Sequence, residues 1–177
     1  MIHSAREFWT VFHGMVLGSI FLLSFSGVLV GLYGFRPDWL TPQGIRHRIR
    51  LLKIGTVAMA IASWLTVITG TYIVYPWYRA KPPEGVANLL DYPRSYLLSV
   101  PDLAIFHTFG MEWKEHVAWF SPILATVVAY LVWHYSDHIV ENLKLRNAVA
   151  VVFIISFSAA AIAGLFGAFI AKAAPIL

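Results

Sequence analysis

Seven histidines and no cysteine leave imidazole as the strongest metal ligand this chain can offer. His13 lies just inside one long apolar run and His116 opens another. A neutral imidazole gives a metal one ring nitrogen and needs an acceptor for the N–H of the other. Two imidazoles meeting at one depth in a helical bundle would fill the axial positions of a haem b iron, and that is the expectation for His13 and His116. The absence of cysteine excludes thiolate-held iron–sulfur clusters, covalently attached c-type haem and disulfides.

The surroundings of each histidine extend this expectation. On a regular helix the face of His13 carries Ser24, Gly27 and Gly31, small residues that leave room for a flat macrocycle. The face of His116 carries Phe120, Ile123, Val127, Tyr130 and His134, the kind of apolar edge a porphyrin packs against. His107 is the rival ligand, or a contact for a quinone. Its nine-residue offset from His116 is about 180° on a continuous helix, so a break at Gly110 is expected. A second haem between His47 and His134 would sit about 27 Å from the first. Against it, His47 stands in Arg46-His47-Arg48-Ile49-Arg50, which has the look of a headgroup-binding or partner-binding strip. His3 is incidental. Glu112 and His116, four apart, could with His107 hold a metal ion, although acids at a helix start are also favoured by its dipole.

Four apolar runs must position these residues: 8–35, 51–78, 116–135 and 148–173. Each meets the ~20 residues that an α-helix needs to cross the hydrocarbon core. The first is longer than a secretory signal's apolar region and is read as a retained span. Spans one and three cross in the same direction, which brings His13 and His116 towards one face of the membrane. With 59% apolar and 12% charged residues, the 177-residue chain is expected to be one transmembrane domain, 1–177. The fold class is all-α, an integral membrane four-helix bundle of two helical hairpins, with a long lid loop, about 79–114, between helices two and three. The lid is too apolar for a linker; one or two short surface helices are expected in it.

The formal charge of +4 is dispersed and gives no basis for nucleic-acid binding. Basic residues divide seven against six between the two sides, but Arg46, Arg48, Arg50 and Lys53 cluster in and beside a short loop with Arg36. The positive-inside rule therefore puts that loop in the cytoplasm, and both termini and the lid in the periplasm of a bacterial inner membrane. Trp9, Trp77, Trp113 and Trp119 would mark the outer interface, Trp39 and Trp133 the inner one. The runs as drawn hold no carboxylate, which argues against an ion-coupled transporter.

With Phe12-His13-Gly14 and Lys114-Glu115-His116-Val117, the chain resembles the four-helix b-type cytochrome subunits of respiratory complexes. The resemblance implies an electron-transfer subunit, which need not itself be an enzyme, with one haem b or two. It would pass electrons between a membrane quinone and a periplasmic partner subunit. A quinone pocket would lie under the lid, near Tyr92, Tyr96, His107 and Trp113. Two other functions fit the sequence: a cofactor-free structural or assembly subunit, and a pigment-binding accessory subunit. An absorption spectrum separates the three.

Overall fold

The structure is a computed structural model and describes residues 4–35 and 40–174. His3, Arg36 and Trp39 lie outside the described residues. Among those described, the chain is all-helical, a four-helix bundle whose long helices are α1 (Ala5–Tyr33), α2 (Pro42–Tyr78), α4 (Pro101–His134) and α6 (Leu143–Ala173). All four are long and apolar enough to span a membrane, making this a multi-pass membrane protein. Two short helices complete it: α3 (Pro93–Ser99) in the connection between α2 and α4, and α5 (Ser136–Glu141) ahead of α6.

The third long helix starts at Pro101, not at His116, so the connecting segment shrinks to 79–100 and His107 is helical. Gly110 does not break the helix. It sits in a wide π-helical turn, Phe106–Met111, and a second such turn, Trp113–Val117, follows. Wide turns blur the 3.6-residue apolar period that would otherwise mark this stretch as helix. Further wide turns occur at Phe12–Val16 in α1 and Gly70–Val74 in α2. Those at 70–74 and 113–117 come shortly before Pro76 and Pro122, whose missing N–H and ring loosen the preceding turn.

The chain forms two compact units, and each long helix contributes to both. Unit 1 comprises Met1–Gly18, Leu65–Trp119 and Ala159–Leu177; unit 2 comprises Ser19–Trp64 and Phe120–Ser158. Unit 1 contains all four wide turns. Its helix α1 opens with a capping box in which Ser4 and Glu7 satisfy each other's backbone N–H. Its core gathers Tyr78, Leu97, Met111, Ile170 and Ala174, with Tyr96 and Phe106 packed against them.

Unit 2 is built on close helix contact. A Cβ on Gly31 would lie 2.8 Å from Leu52, and one on Gly55 would lie 2.5 Å from Val28, so α1 and α2 touch through missing side chains. Phe25 stacks on Phe157 at 3.7 Å between ring centroids and also meets Phe153. Buried Thr56 and Ser63 donate to carbonyls of their own helix, and Trp64 donates its indole N–H to Thr126 Oγ1.

Candidate functional site

The histidines separate by what their ring nitrogens are doing. In unit 1, His13 Nδ1 lies 3.1 Å from Thr69 Oγ1. The Thr69 hydroxyl proton is directed at the Leu65 carbonyl, 2.7 Å away, so His13 must donate from Nδ1 and keep a lone pair on Nε2. The ring rests on Gly70, where an added Cβ would come within 2.8 Å of Cε1 and 3.5 Å of Nε2. The glycine thus forms the seat of the imidazole.

His116 Nδ1 is 3.0 Å from the Glu112 carbonyl oxygen, which can only accept, so here too Nδ1 carries the proton and Nε2 is free. The Glu112 carboxylate approaches the same nitrogen at 3.5 Å. The His116 side chain is 71% exposed. Two residues earlier Lys114 turns the other way, and its ammonium donates to the Ala163 carbonyl on α6 at 3.3 Å, over Gly167. Two positions apart on a helix are roughly opposite, so an inward Lys114 sends His116 outward.

No hydrogen bond or ring contact joins His13 to His116. One imidazole is seated on α2 and the other faces away from the helices of its own unit, so as placed they do not fit the two faces of one macrocycle within the chain. Gly31, expected to leave room for a porphyrin, is filled by Leu52, whereas Gly27 has open space beside it. In unit 2, His134 repeats the pattern of His116, with Nδ1 3.0 Å from the Tyr130 carbonyl and its ring on Tyr130. His47 is exposed on α2, and no contact joins it to His134. Among the described residues, no group of three His, Asp or Glu side chains converges as a metal site. The triad of His107, Glu112 and His116 is therefore not assembled.

His107 is bound differently. Arg94, on α3, directs its Nε–H at His107 Nε2 at 3.4 Å, and His107 Nδ1 lies 2.9 Å from the Tyr78 hydroxyl. A guanidinium can only donate, so the Nε2 lone pair is engaged and Nδ1–H faces Tyr78. His107 has no nitrogen left for a metal. Beside it, Tyr75 donates to Glu115 Oε1 at 2.5 Å and accepts from Arg79 Nη1 at 3.0 Å. The rings of Tyr75 and Tyr78 stack at 6.3 Å and join the two triads.

This cluster combines two phenols, an imidazole, a carboxylate and two guanidiniums, half-buried beneath α3 and next to the apolar core of unit 1. Within it a proton can pass between a carboxylate and a phenol, or between an imidazole and a phenol, while a guanidinium supports negative charge on oxygen. Of the residues expected around a quinone, Tyr96 packs on this core and His107 is central. Trp113 instead ties α4 to α6 by donating to the Ala159 carbonyl at 3.0 Å. Tyr75, Tyr78, Arg94 and Glu115 were not singled out from the sequence as a group. Their one local signal was Tyr75, Tyr78 and Arg79 recurring at helical spacing where an apolar run ends. The longer α4 also carries Asp102, Glu112, Lys114 and Glu115, which removes the expected lack of carboxylates from the spans. No protein-family model matches this chain, and no characterised protein or solved structure resembles it at a significant level.

Proposed function

We propose that the protein is the membrane subunit of a redox complex, and that unit 1 receives the headgroup of a membrane quinone beside Tyr78 and His107. The observation that carries this reading is the joined pair of triads, Arg94–His107–Tyr78 and Arg79–Tyr75–Glu115. Interconversion of quinone and quinol moves two electrons and two protons. Glu115 with Tyr75, and His107 with Tyr78, are two proton-exchanging pairs; Arg94 and Arg79 favour negative charge on a ring oxygen. Electrons would be exchanged with a partner subunit at the side carrying the 79–100 segment, which we place in the periplasm of a bacterial inner membrane. The test is labelling by a photoreactive quinone analogue in membranes. Label is expected on peptides within 75–115, falling at least tenfold in the Tyr75→Phe/Tyr78→Phe variant, in line with the loss of two hydrogen-bonding groups at about 1 kcal/mol each. Labelling confined to other peptides, or indifferent to the variant, would sink the proposal.

A haem b belongs to the same reading in one form. His116, with Nδ1 anchored and Nε2 outward, has the orientation of a ligand to a haem shared with a partner subunit. Such a haem would supply a one-electron carrier. A dithionite-reduced minus oxidised spectrum of the complex should then show a b-type band that His116→Ala abolishes and His13→Ala retains. Loss of the band in both variants would restore the pairing of His13 with His116; a flat spectrum would leave the quinone proposal without a haem.

A further inference from the structure

Among the described residues, the arginines of unit 2 and Lys53 fall into two groups, and Lys144 is exposed at the start of α6. Arg48 and Arg146 are used within the fold: Arg48 donates to the Gly34 carbonyl at 2.8 Å, and Arg146 donates to the Val140 carbonyl at 3.1 Å and lies over the Phe35 ring. Among the described residues, Arg46, Arg50 and Lys53 donate to no carbonyl and join no ion pair. Spaced i, i+4 and i+7 on α2, they fall within about 60° of one another and form a single stripe. Arg46 and Arg50 are exposed, and Lys53 sets its ammonium 5.5 Å over the ring of Trp133, on α4. Trp133 is itself 54% exposed. The stripe therefore runs down to the junction of α2 and α4 at the level of an aromatic residue that suits the membrane interface.

Beyond this junction the exposed side chains include the apolar Ile54 and Ile61 on α2 and Val127 on α4, and exposed Thr126 has its hydroxyl occupied by the Trp64 indole. Among the described residues, the carboxylates facing the same side of the membrane, Asp137 and Glu141, lie on the exposed surface of α5, while Asp38 lies outside the described residues. Among the described residues, neither is ion-paired with the three cations. We infer that this edge binds an anionic phospholipid, with its phosphate held by Arg46, Arg50 and Lys53 and its acyl chains along the apolar faces of α2 and α4. Guanidinium forks and an ammonium suit phosphate oxygens, and an apolar slope directly beneath them suits a lipid better than a soluble anion.

The experiment is thermal unfolding of the full chain in micelles titrated with cardiolipin, phosphatidylglycerol, phosphatidylcholine or inorganic phosphate. Cardiolipin and phosphatidylglycerol are expected to raise the unfolding temperature and phosphatidylcholine and phosphate to leave it in place. The Arg46→Gln/Arg50→Gln/Lys53→Gln variant should lose about a hundredfold in apparent affinity for cardiolipin, three cations being removed. Its unfolding in phosphatidylcholine reports whether it is folded. If it is not, Arg46→Lys/Arg50→Lys/Lys53→Arg keeps the charges and should keep the cardiolipin shift, which added salt then weakens. An equal response to phosphatidylcholine, a shift reproduced by inorganic phosphate, or cardiolipin binding unchanged in the glutamine variant or insensitive to salt would each overturn the inference.

Discussion

Ser121 and Ser156 are both fully buried in unit 2, yet their hydroxyls are in opposite situations. Ser156 donates to the Ser121 carbonyl on a neighbouring helix at 2.8 Å, whereas Ser121 Oγ has no hydrogen-bond partner. Removing a satisfied hydroxyl loses a bond; removing an orphaned one relieves a desolvated group. Ser156→Ala is therefore expected to destabilise by about 1 kcal/mol, and Ser121→Ala to be neutral or stabilising by a similar amount. Reversible unfolding in mixed micelles measures both. The same accounting of donors and acceptors separates the histidines. Their identity was plain in the sequence, but the state of each ring nitrogen depended on Thr69, the Glu112 carbonyl, Tyr130 and Arg94, partners that sequence spacing did not supply together. Expected as a rival ligand, His107 proved to have both nitrogens engaged by Arg94 and Tyr78.

The wide turns explain most of what went unread at the level of the helix. Each takes up about one extra residue, near 100° of rotation, so faces drawn with a uniform period lose register across it. The stripe of Phe120, Ile123, Val127 and Tyr130, assigned to a porphyrin edge, does share one side of α4, but that side is exposed. Gly70 and Gly110, each in a wide turn, mark where another group comes close, whereas Gly14 in the first wide turn has no atom within 4 Å. A Cβ at Gly110 would meet Phe166 at 2.8 Å, with two further atoms of that side chain within 3.2 Å. Gly110→Ala should accordingly cost about 1–3 kcal/mol through overpacking. Gly27→Ala, where no atom lies within 4 Å of the added carbon, should be neutral or stabilising by up to about 1 kcal/mol because alanine favours the helix. Gly70→Ala is expected to unseat His13, and the imidazole NMR shifts of His13 would report it with those of His116 unchanged.

For the molecule as a whole, the checkable matter is topology. Four membrane passes set the 79–100 segment on one side and the start of α6 on the other. A chain without cysteine makes single-cysteine labelling direct. A membrane-impermeant maleimide should label Lys81→Cys in cells whose outer barrier alone is opened, and Lys144→Cys only after the inner membrane is breached. The reverse pattern would invert the orientation inferred from the arginine-rich loop, and labelling of both from one side would contradict four passes.

The apolar runs determined by themselves that this is a four-pass helical membrane protein, because the bilayer demands about 20 apolar residues per span and internal satisfaction of every backbone hydrogen bond. Composition alone also ruled out thiolate chemistry. The start of the third helix was hidden in the sequence, since Pro101–Val117 mixes polar residues, proline, glycine and two wide turns that carry no clear period. Only the tertiary structure decided that Lys114 points inward and His116 outward, that Leu52 occupies the space beside Gly31, and that Tyr75, Tyr78, Arg94, His107 and Glu115 form one cluster. These residues come from α2, α3 and α4, and a cluster assembled from three helices is specified by packing and rotation, neither of which a one-dimensional spacing contains.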